Sequence, residues 1–318
     1  MMYDMGITIT ASVSGKVKAF SLLCAAMVVG IHVAEYQEQG TIMYWWSRIG
    51  HCGCFLIAVP FFFTVSGFFL AGHFGEAAWL RRESMKRVRS LLVPYLVWST
   101  LGFLITISGI IASGVSPRGV DMVKLAASSL GVNPFCYPML VPLWYLRTLM
   151  IFVFISPLIY LLARHGGVKL LLVICLAWAL VILFAAGRFG LIMRYTFRLS
   201  ALFYFTAGVV MRLKGCALET KSRMISFISL LLGIITLVVS IFVCEVESRL
   251  FSLFRMAFVP LLLFATWNLF PSVKLPQWLT SATFPIFCLH ILVWRVLGVV
   301  ASATNLSCFD FLHPASVV

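Results

Sequence analysis

Nine apolar stretches, 15 to 24 residues long, occupy most of this 318-residue chain, with short polar segments between them. At about 1.5 Å per helical residue, ~20 residues cross the hydrocarbon layer of a bilayer. Inside that layer only a helix or a closed barrel satisfies every backbone polar group. The stretches fall at 17–34, 52–72, 90–113, 141–163, 168–186, 198–212, 224–244, 250–270 and 282–302. They predict an all-α, polytopic transmembrane helical bundle of about nine spans, read as one integral-membrane domain over residues 1–318. The sixth stretch, RLSALFYFTAGVVMR, is the shortest and the weakest of the set. With 62% hydrophobic and 11% charged residues, the chain is far more apolar than a water-soluble domain. The longest intervening segments, 35–51 and 114–140, are too short to fold alone, so any chemistry must use the bundle.

A formal charge of +14 might suggest nucleic acid, but the basic residues are scattered between apolar runs without an aromatic-interleaved patch. No nucleic-acid partner is expected; the bilayer is. Alternate loops carry fourteen and seven Lys and Arg residues, and the richer set faces the cytoplasm by the positive-inside rule. The N-terminus is therefore predicted cytoplasmic, with His32 near the outer face and the Arg81, Arg82, Lys86, Arg87, Arg89 cluster at the inner one. A basic flank before an apolar run also fits a cleaved signal peptide, yet no small-x-small site follows and many more spans do. Nine cysteines are spread through the spans, and Cys52 and Cys54 have no matching His or Cys cluster, so they read as packing residues; no metal is expected.

An ionisable side chain inside a span is costly and usually faces a cavity or a partner. His32 closes the first apolar run, and its imidazole can exchange a proton near neutral pH. The competing reading is a histidine hydrated at the headgroup boundary. Glu35, three residues on, lies on the same helical face as His32 and can orient its ring, or is a solvated loop acid. His290 lies some eight residues into the ninth stretch, ~12 Å deep at helical rise, as a second catalytic or a structural histidine. Arg147 is expected near the outer end of its span, where it either faces inward or snorkels to the headgroups. Arg188, Arg194 and Arg198 cluster on the outer side against the positive-inside trend, suited to an anionic glycan or belonging to a re-entrant segment. Trp144 and Tyr145 read as interfacial or packing aromatics, though aromatic faces also stack on sugar rings.

Four elements in order cover nearly the whole chain. The first is AAMVVGIH, ending in His32. The second is VPFFFTVSGFFLAGHFG with the Ser66-Gly67 pair, continued by WLRRESMKRVRSLLVPYLVWS. The third is PLWYLRTLMIFVFISPLIYLL with Trp144, Arg147 and Pro157, and the fourth is ATFPIFCLHILV with Phe284, Phe287 and His290. Together they resemble the acyltransferase-3 family of integral-membrane acyltransferases. The resemblance implies O-acylation, most often O-acetylation, of a cell-surface carbohydrate or its lipid-linked precursor, with cytoplasmic acyl-CoA (acetyl-CoA) as donor and a bacterial inner membrane as location. It implies His32 as general base or acyl relay, Arg147 as orienting or oxyanion-stabilising group, and Arg87 and Arg89 as donor-phosphate ligands. Ser66, Trp144, Glu35 and His290 would support them.

Two departures stand out. The family commonly has an arginine eleven positions before the histidine, where this chain has Ser21 with Lys18 one turn nearer the cytoplasm. Members commonly have ten spans with both termini inside, so this domain reads as divergent or lacking the last span. A small-molecule transporter, which also uses isolated intramembrane His and Arg residues, and a catalytically inactive relative remain the alternatives.

Overall fold

The computed structural model describes residues 11–32, 42–74, 79–112, 121–133, 137–138, 140–195, 198–220, 222–245 and 248–304. Among them there is no strand, and the helices in chain order are α1 (Ala11–Ile31), α2 (Ile42–Trp46), α3 (Ala58–Ala71), α4 (Trp79–Arg87), α5 (Val93–Ala112) and α6 (Met122–Ser129). They continue with α7 (Leu143–Phe154), α8 (Ser156–Gly166), α9 (Val168–Phe184), α10 (Gly187–Tyr195) and α11 (Leu199–Leu213). The last four are α12 (Arg223–Val243), α13 (Arg249–Leu269), α14 (Gln277–Ser281) and α15 (Thr283–Thr304).

Every apolar stretch forms helix, but not all form full-length spans. Among the described residues, five helical runs are long and apolar enough to cross a membrane: Ala11–Ile31, Tyr44–Ala71, Met85–Ser108, Arg223–Val243 and Arg249–Leu269. The pair α7 and α8 passes the same test together but is bent by 67°, as a broken span or a re-entrant loop is, where Pro157 removes a backbone donor and cannot continue the helical ladder. The helices at Val168–Phe184, Leu199–Leu213 and Thr283–Val293 are shorter. The chain is thus an all-α polytopic bundle.

Two expected loops are structured differently. The basic stretch after α3, anticipated as a turn, is helix α4, and it runs through a π-helical turn at Val88–Leu92 directly into α5. No Gly or Pro interrupts residues 79–93, and Pro94 comes just past the π turn, where the regular hydrogen-bond pattern is already broken. Of the 114–140 segment, the described residues 121–133 and Leu140 fold back against α5. Tyr95 donates to the carbonyl of Leu130 at 2.7 Å, and Gly102 faces Leu140 so closely that a Cβ would come within 2.9 Å of it.

The centre of the bundle is the crossing of α3 and α11. A Cβ on Gly67 would lie 2.0 Å from the Phe205 carbonyl oxygen, and one on Gly208 would lie 2.0 Å from that of Thr64. The two backbones therefore touch directly, as the small Ser66-Gly67 pair suggests. Because Gly67 meets Phe205 while Gly72 meets Arg212, the helices run in the same direction. Phe63, Phe152 and Phe205 close the crossing, with ring centroids 5.7 and 5.4 Å apart in succession. Helices α12 and α13 form a hairpin whose N-caps, Ser222 and Ser248, accept from Ile225 N–H and Phe251 N–H.

Helix α1 is anchored at its base. Lys16 is buried, pairs with Glu219 at 2.7 Å and lies 4.9 Å from the Trp267 ring, while the Trp267 indole donates to the Leu218 carbonyl. Ser12 bonds Ser272 at 3.1 Å. From that level α1 climbs beside α14 and α15.

Candidate active site

The upper end of α1 carries the first site residue. His32 follows the last helical residue, its backbone N–H still bonded to Val29, and its ring stacks against that of His290 with centroids 5.2 Å apart and planes 32° from parallel. His290 is only 6% exposed. Its Nδ1 sits 3.2 Å from the Ile286 carbonyl, which can only accept, so Nδ1 carries the proton and the neutral ring presents a lone pair at Nε2. That Nε2 is buried without a hydrogen-bond partner among the described residues. A buried polar atom left unpaired is expensive, and in native proteins it marks a place where something else binds.

The pairing joins side chains 258 positions apart in the chain. Residues 271–276 are non-helical, α14 follows and α15 begins at Thr283, so His290 lies two turns into its helix, level with the upper end of α1.

Below the histidines runs a continuous set of rings. Phe287, one turn from His290, lies 6.5 Å from its ring, 6.1 Å from Phe62 and 5.4 Å from Tyr145. Tyr145, in the first turn of α7, packs on Phe63 at 4.7 Å and faces Ser66 with 3.4 Å between the hydroxyl oxygens. Helix α4 packs against α7, which carries Tyr145. On α4, Arg87 lies 3.7 Å from the carboxylate of Glu83, one helical turn earlier, and Lys86 approaches the same carboxylate at 3.8 Å, ion-pair distances beyond hydrogen-bond range. Glu83 is only 2% exposed, the one acid amid the basic helix. The result is a chain of rings from Tyr145 through Phe287 to a pair of imidazoles, with the basic helix packed against the element that carries Tyr145.

The other expected residues distribute unevenly. Ser66 joins the chain of rings through Tyr145. Arg89, two positions after Arg87, is exposed, and Glu35 lies outside the described residues. Arg147 is 9% exposed, which removes the snorkelling reading, and it sits inside the bundle rather than at the outer end. It donates to the Gly131 carbonyl at 2.7 Å, next to the Tyr95 hydroxyl that bonds Leu130. Because residues 121–133 turn back along α5 and meet the start of α7, Arg147 lies in the interior. Gly131 has φ of 59° and no room for a Cβ, which would fall 2.6 Å from the Tyr95 oxygen. The expected outer arginine cluster also separates: Arg188 is exposed on α10, whereas Arg198 lies 4.1 Å from the Trp144 ring centre and donates to the Tyr137 hydroxyl. The Arg194 side chain is outside the described set. Sequence reasoning overlooked Glu83, although a lone acid at i+3 and i+4 spacing from two cations is a visible sign of pairing. It also left Tyr145 as a packing aromatic.

A family model for an acyltransferase domain matches residues 22–315. The chain belongs to the acyltransferase-3 family. This acyltransferase domain is similar to the succinoglycan biosynthesis protein ExoH of Rhizobium meliloti, with 28% identity over 231 residues, covering 67% of the chain and 58% of that relative. The chain thus aligns with little more than half the length of that curated relative. No solved structure matches. The acyltransferase domain begins within α1 and includes every residue of the ring chain just described.

Proposed function

We propose that this acyltransferase moves an acyl group, acetyl in the first instance, from cytoplasmic acyl-CoA to a hydroxyl of a cell-surface polysaccharide or its lipid-linked precursor. The observation that carries the reading is the His32 and His290 pair, two imidazoles brought together beside a ring cluster whose Tyr145 sits on α7, against the basic helix α4. The cations of α4 suit the phosphates of coenzyme A, for which a guanidinium fork is the matching donor, and the imidazoles suit a hydroxyl. The relative named for succinoglycan biosynthesis supports a carbohydrate acceptor.

In this reading the acceptor oxygen attacks the thioester carbonyl carbon as His32 takes the hydroxyl proton. The carbon–sulfur bond then breaks, and the coenzyme leaves as a thiolate that recovers a proton from the imidazolium. His290 holds the His32 ring by stacking and offers a second lone pair beside it. Arg87, oriented by Glu83, binds donor phosphate, with Arg89 as an outer cation. Arg147 acts as a positioning residue: by bonding Gly131 it holds the start of α7, and so Tyr145 and Trp144, in place. The basic-residue asymmetry supports a cytoplasmic N-terminus, and the family with its Rhizobium relative supports a bacterial inner membrane.

Membranes containing the protein, given radiolabelled acetyl-CoA and a host glycan, should transfer label to membrane-bound glycan. His32→Ala at equal abundance should not. Equal labelling by both proteins would remove His32 from the chemistry, and no labelling by the parent in a host with suitable glycans would remove the acetyl-transfer reading.

A further inference from the structure

A cation is clamped between aromatic rings where the connection before α7 meets the start of α11. The Arg198 guanidinium, at the N-cap of α11, lies 4.1 Å from the ring centre of Trp144, in the first turn of α7. It lies 5.2 Å from the ring centre of Tyr137, whose hydroxyl accepts a hydrogen bond from it. All three residues are half-buried, so the clamp sits at the edge of the core and is reachable from outside it. Residues 122–218, which include α6 to α11, hold nine Lys and Arg residues and no Asp or Glu, so this part of the chain brings positive charge without acids of its own. On the orientation proposed above, the clamp lies on the outer side, where arginines run against the usual charge bias.

We propose that Arg198 recognises a carboxylate on the acceptor saccharide, so that the preferred acceptor is an acidic one. The assignment rests on the acyl-transfer reading above and adds to it the charge of the acceptor. A guanidinium is a planar fork with five N–H donors, more than one phenol accepts, and its shape matches a carboxylate. Two rings fix its plane in advance, which lowers the entropy cost of binding. The ring faces also keep water from it, and a charge-assisted hydrogen bond strengthens as the local dielectric falls. Trp144 thus serves the acceptor through Arg198, since the guanidinium covers the ring face on which a sugar would stack. Trp144 lies 6.1 Å from Phe63, and Phe63, Tyr145 and Phe287 lead from there to His290. The clamp is therefore a subsite apart from the imidazoles, suited to hold the body of the acceptor while a different group of it reacts.

The test uses the full chain in membranes, radiolabelled acetyl-CoA and two soluble oligosaccharide acceptors. One carries a uronic acid residue, and the other is the same oligosaccharide with that carboxyl group reduced to the alcohol. The parent's KM should be about ten- to a hundredfold lower for the acidic acceptor, the worth of hydrogen bonds between charged groups. Arg198→Gln should erase most of that difference, and Arg198→Lys, which keeps the charge without the fork, should leave a preference between these limits. Equal KM values in the parent, a preference retained in Arg198→Gln, or an equal rise in both values would each overturn the proposal, the last by making the clamp structural. Calorimetric titration of the acidic oligosaccharide into the purified protein in nanodiscs, without acyl-CoA, reads the subsite independently of turnover. Saturable binding that is lost in Arg198→Gln supports the carboxylate. Binding that survives carboxyl reduction and is displaced by a polyprenyl phosphate assigns the cation to a lipid phosphate and overturns it. Arg198-dependent binding of the acidic oligosaccharide with no transfer to any acceptor would instead count against the transfer reading and leave the clamp as a saccharide site.

Discussion

Two helix pairs in this molecule are built in opposite ways. At the crossing of α3 and α11, glycines bring backbones into direct contact and phenylalanine rings fill the remaining space. At the seam of α1 and α15, the side chains that meet are two histidines, and one of them keeps a buried nitrogen without a partner among the described residues. Packing of the first kind has no slack, since interiors at crystalline density leave no room for added volume. The second kind leaves an unsatisfied nitrogen, which costs stability and makes sense where a ligand completes it. Stability and the proposed chemistry thus fall at different seams.

That division can be broken from either side. The largest effect is expected at the histidine seam: His32→Ala should lower acyl transfer by ~10² to 10⁴, the usual contribution of a general base, while leaving the unfolding midpoint in detergent close to the parent's. A large drop in the midpoint would make His32 structural. At the closed crossing the pattern should reverse. Gly67→Ala places a Cβ against the Phe205 carbonyl and should cost ~1 to 3 kcal/mol or more, measured as a lower midpoint and lower folded yield. A variant with parent-like stability would show that the two helices can separate freely.

Between the seams lies the link made by Glu83. Glu83→Gln leaves Arg87 without its ionic partner at 3.7 Å, and the KM for acyl-CoA should rise about two- to fivefold, the worth of an ion pair without a hydrogen bond, with a smaller change in kcat. A kcat effect alone would separate the basic helix from donor binding. The smallest effect belongs to Asp121, the N-cap of α6, which accepts from Lys124 N–H at 3.0 Å. That bond holds its carboxyl below the usual carboxylate range. A lowered native pKa stabilises the fold above the unfolded-state value and is lost as pH falls through the native one. Asp121→Asn preserves the cap without the titration, so it should remove a slight acid dependence of the midpoint and leave its neutral value unchanged.

Much of the site was legible from residue type and spacing. His32 at the end of an apolar run, the basic run containing Arg87, and the Ser66-Gly67 pair are all local patterns, and each is now part of a seam, a crossing or the helix packed against α7. What could not be read locally was height. Helical counting could not say that His290 would meet His32, and it put Arg147 near the outer end of its span, whereas residues 121–133 turn back along α5 and Arg147 bonds Gly131 inside the bundle. Glu83 was visible as a lone acid, but its burial depends on α4 packing against α7.

The sequence by itself determined the class of molecule: a bilayer forces backbone groups to pair within each apolar stretch, so composition and run length dictate helices whatever they pack against. It also determined the family, through four ordered elements. The tertiary structure alone decided which side chains meet. The stacking of His32 on His290, 258 positions away, and the seating of Tyr145 against Ser66 and Phe287 depend on helix heights and separations. Those are set by glycine contacts, π turns and folded-back connections, which act between segments distant in the chain and leave no periodic trace within either one.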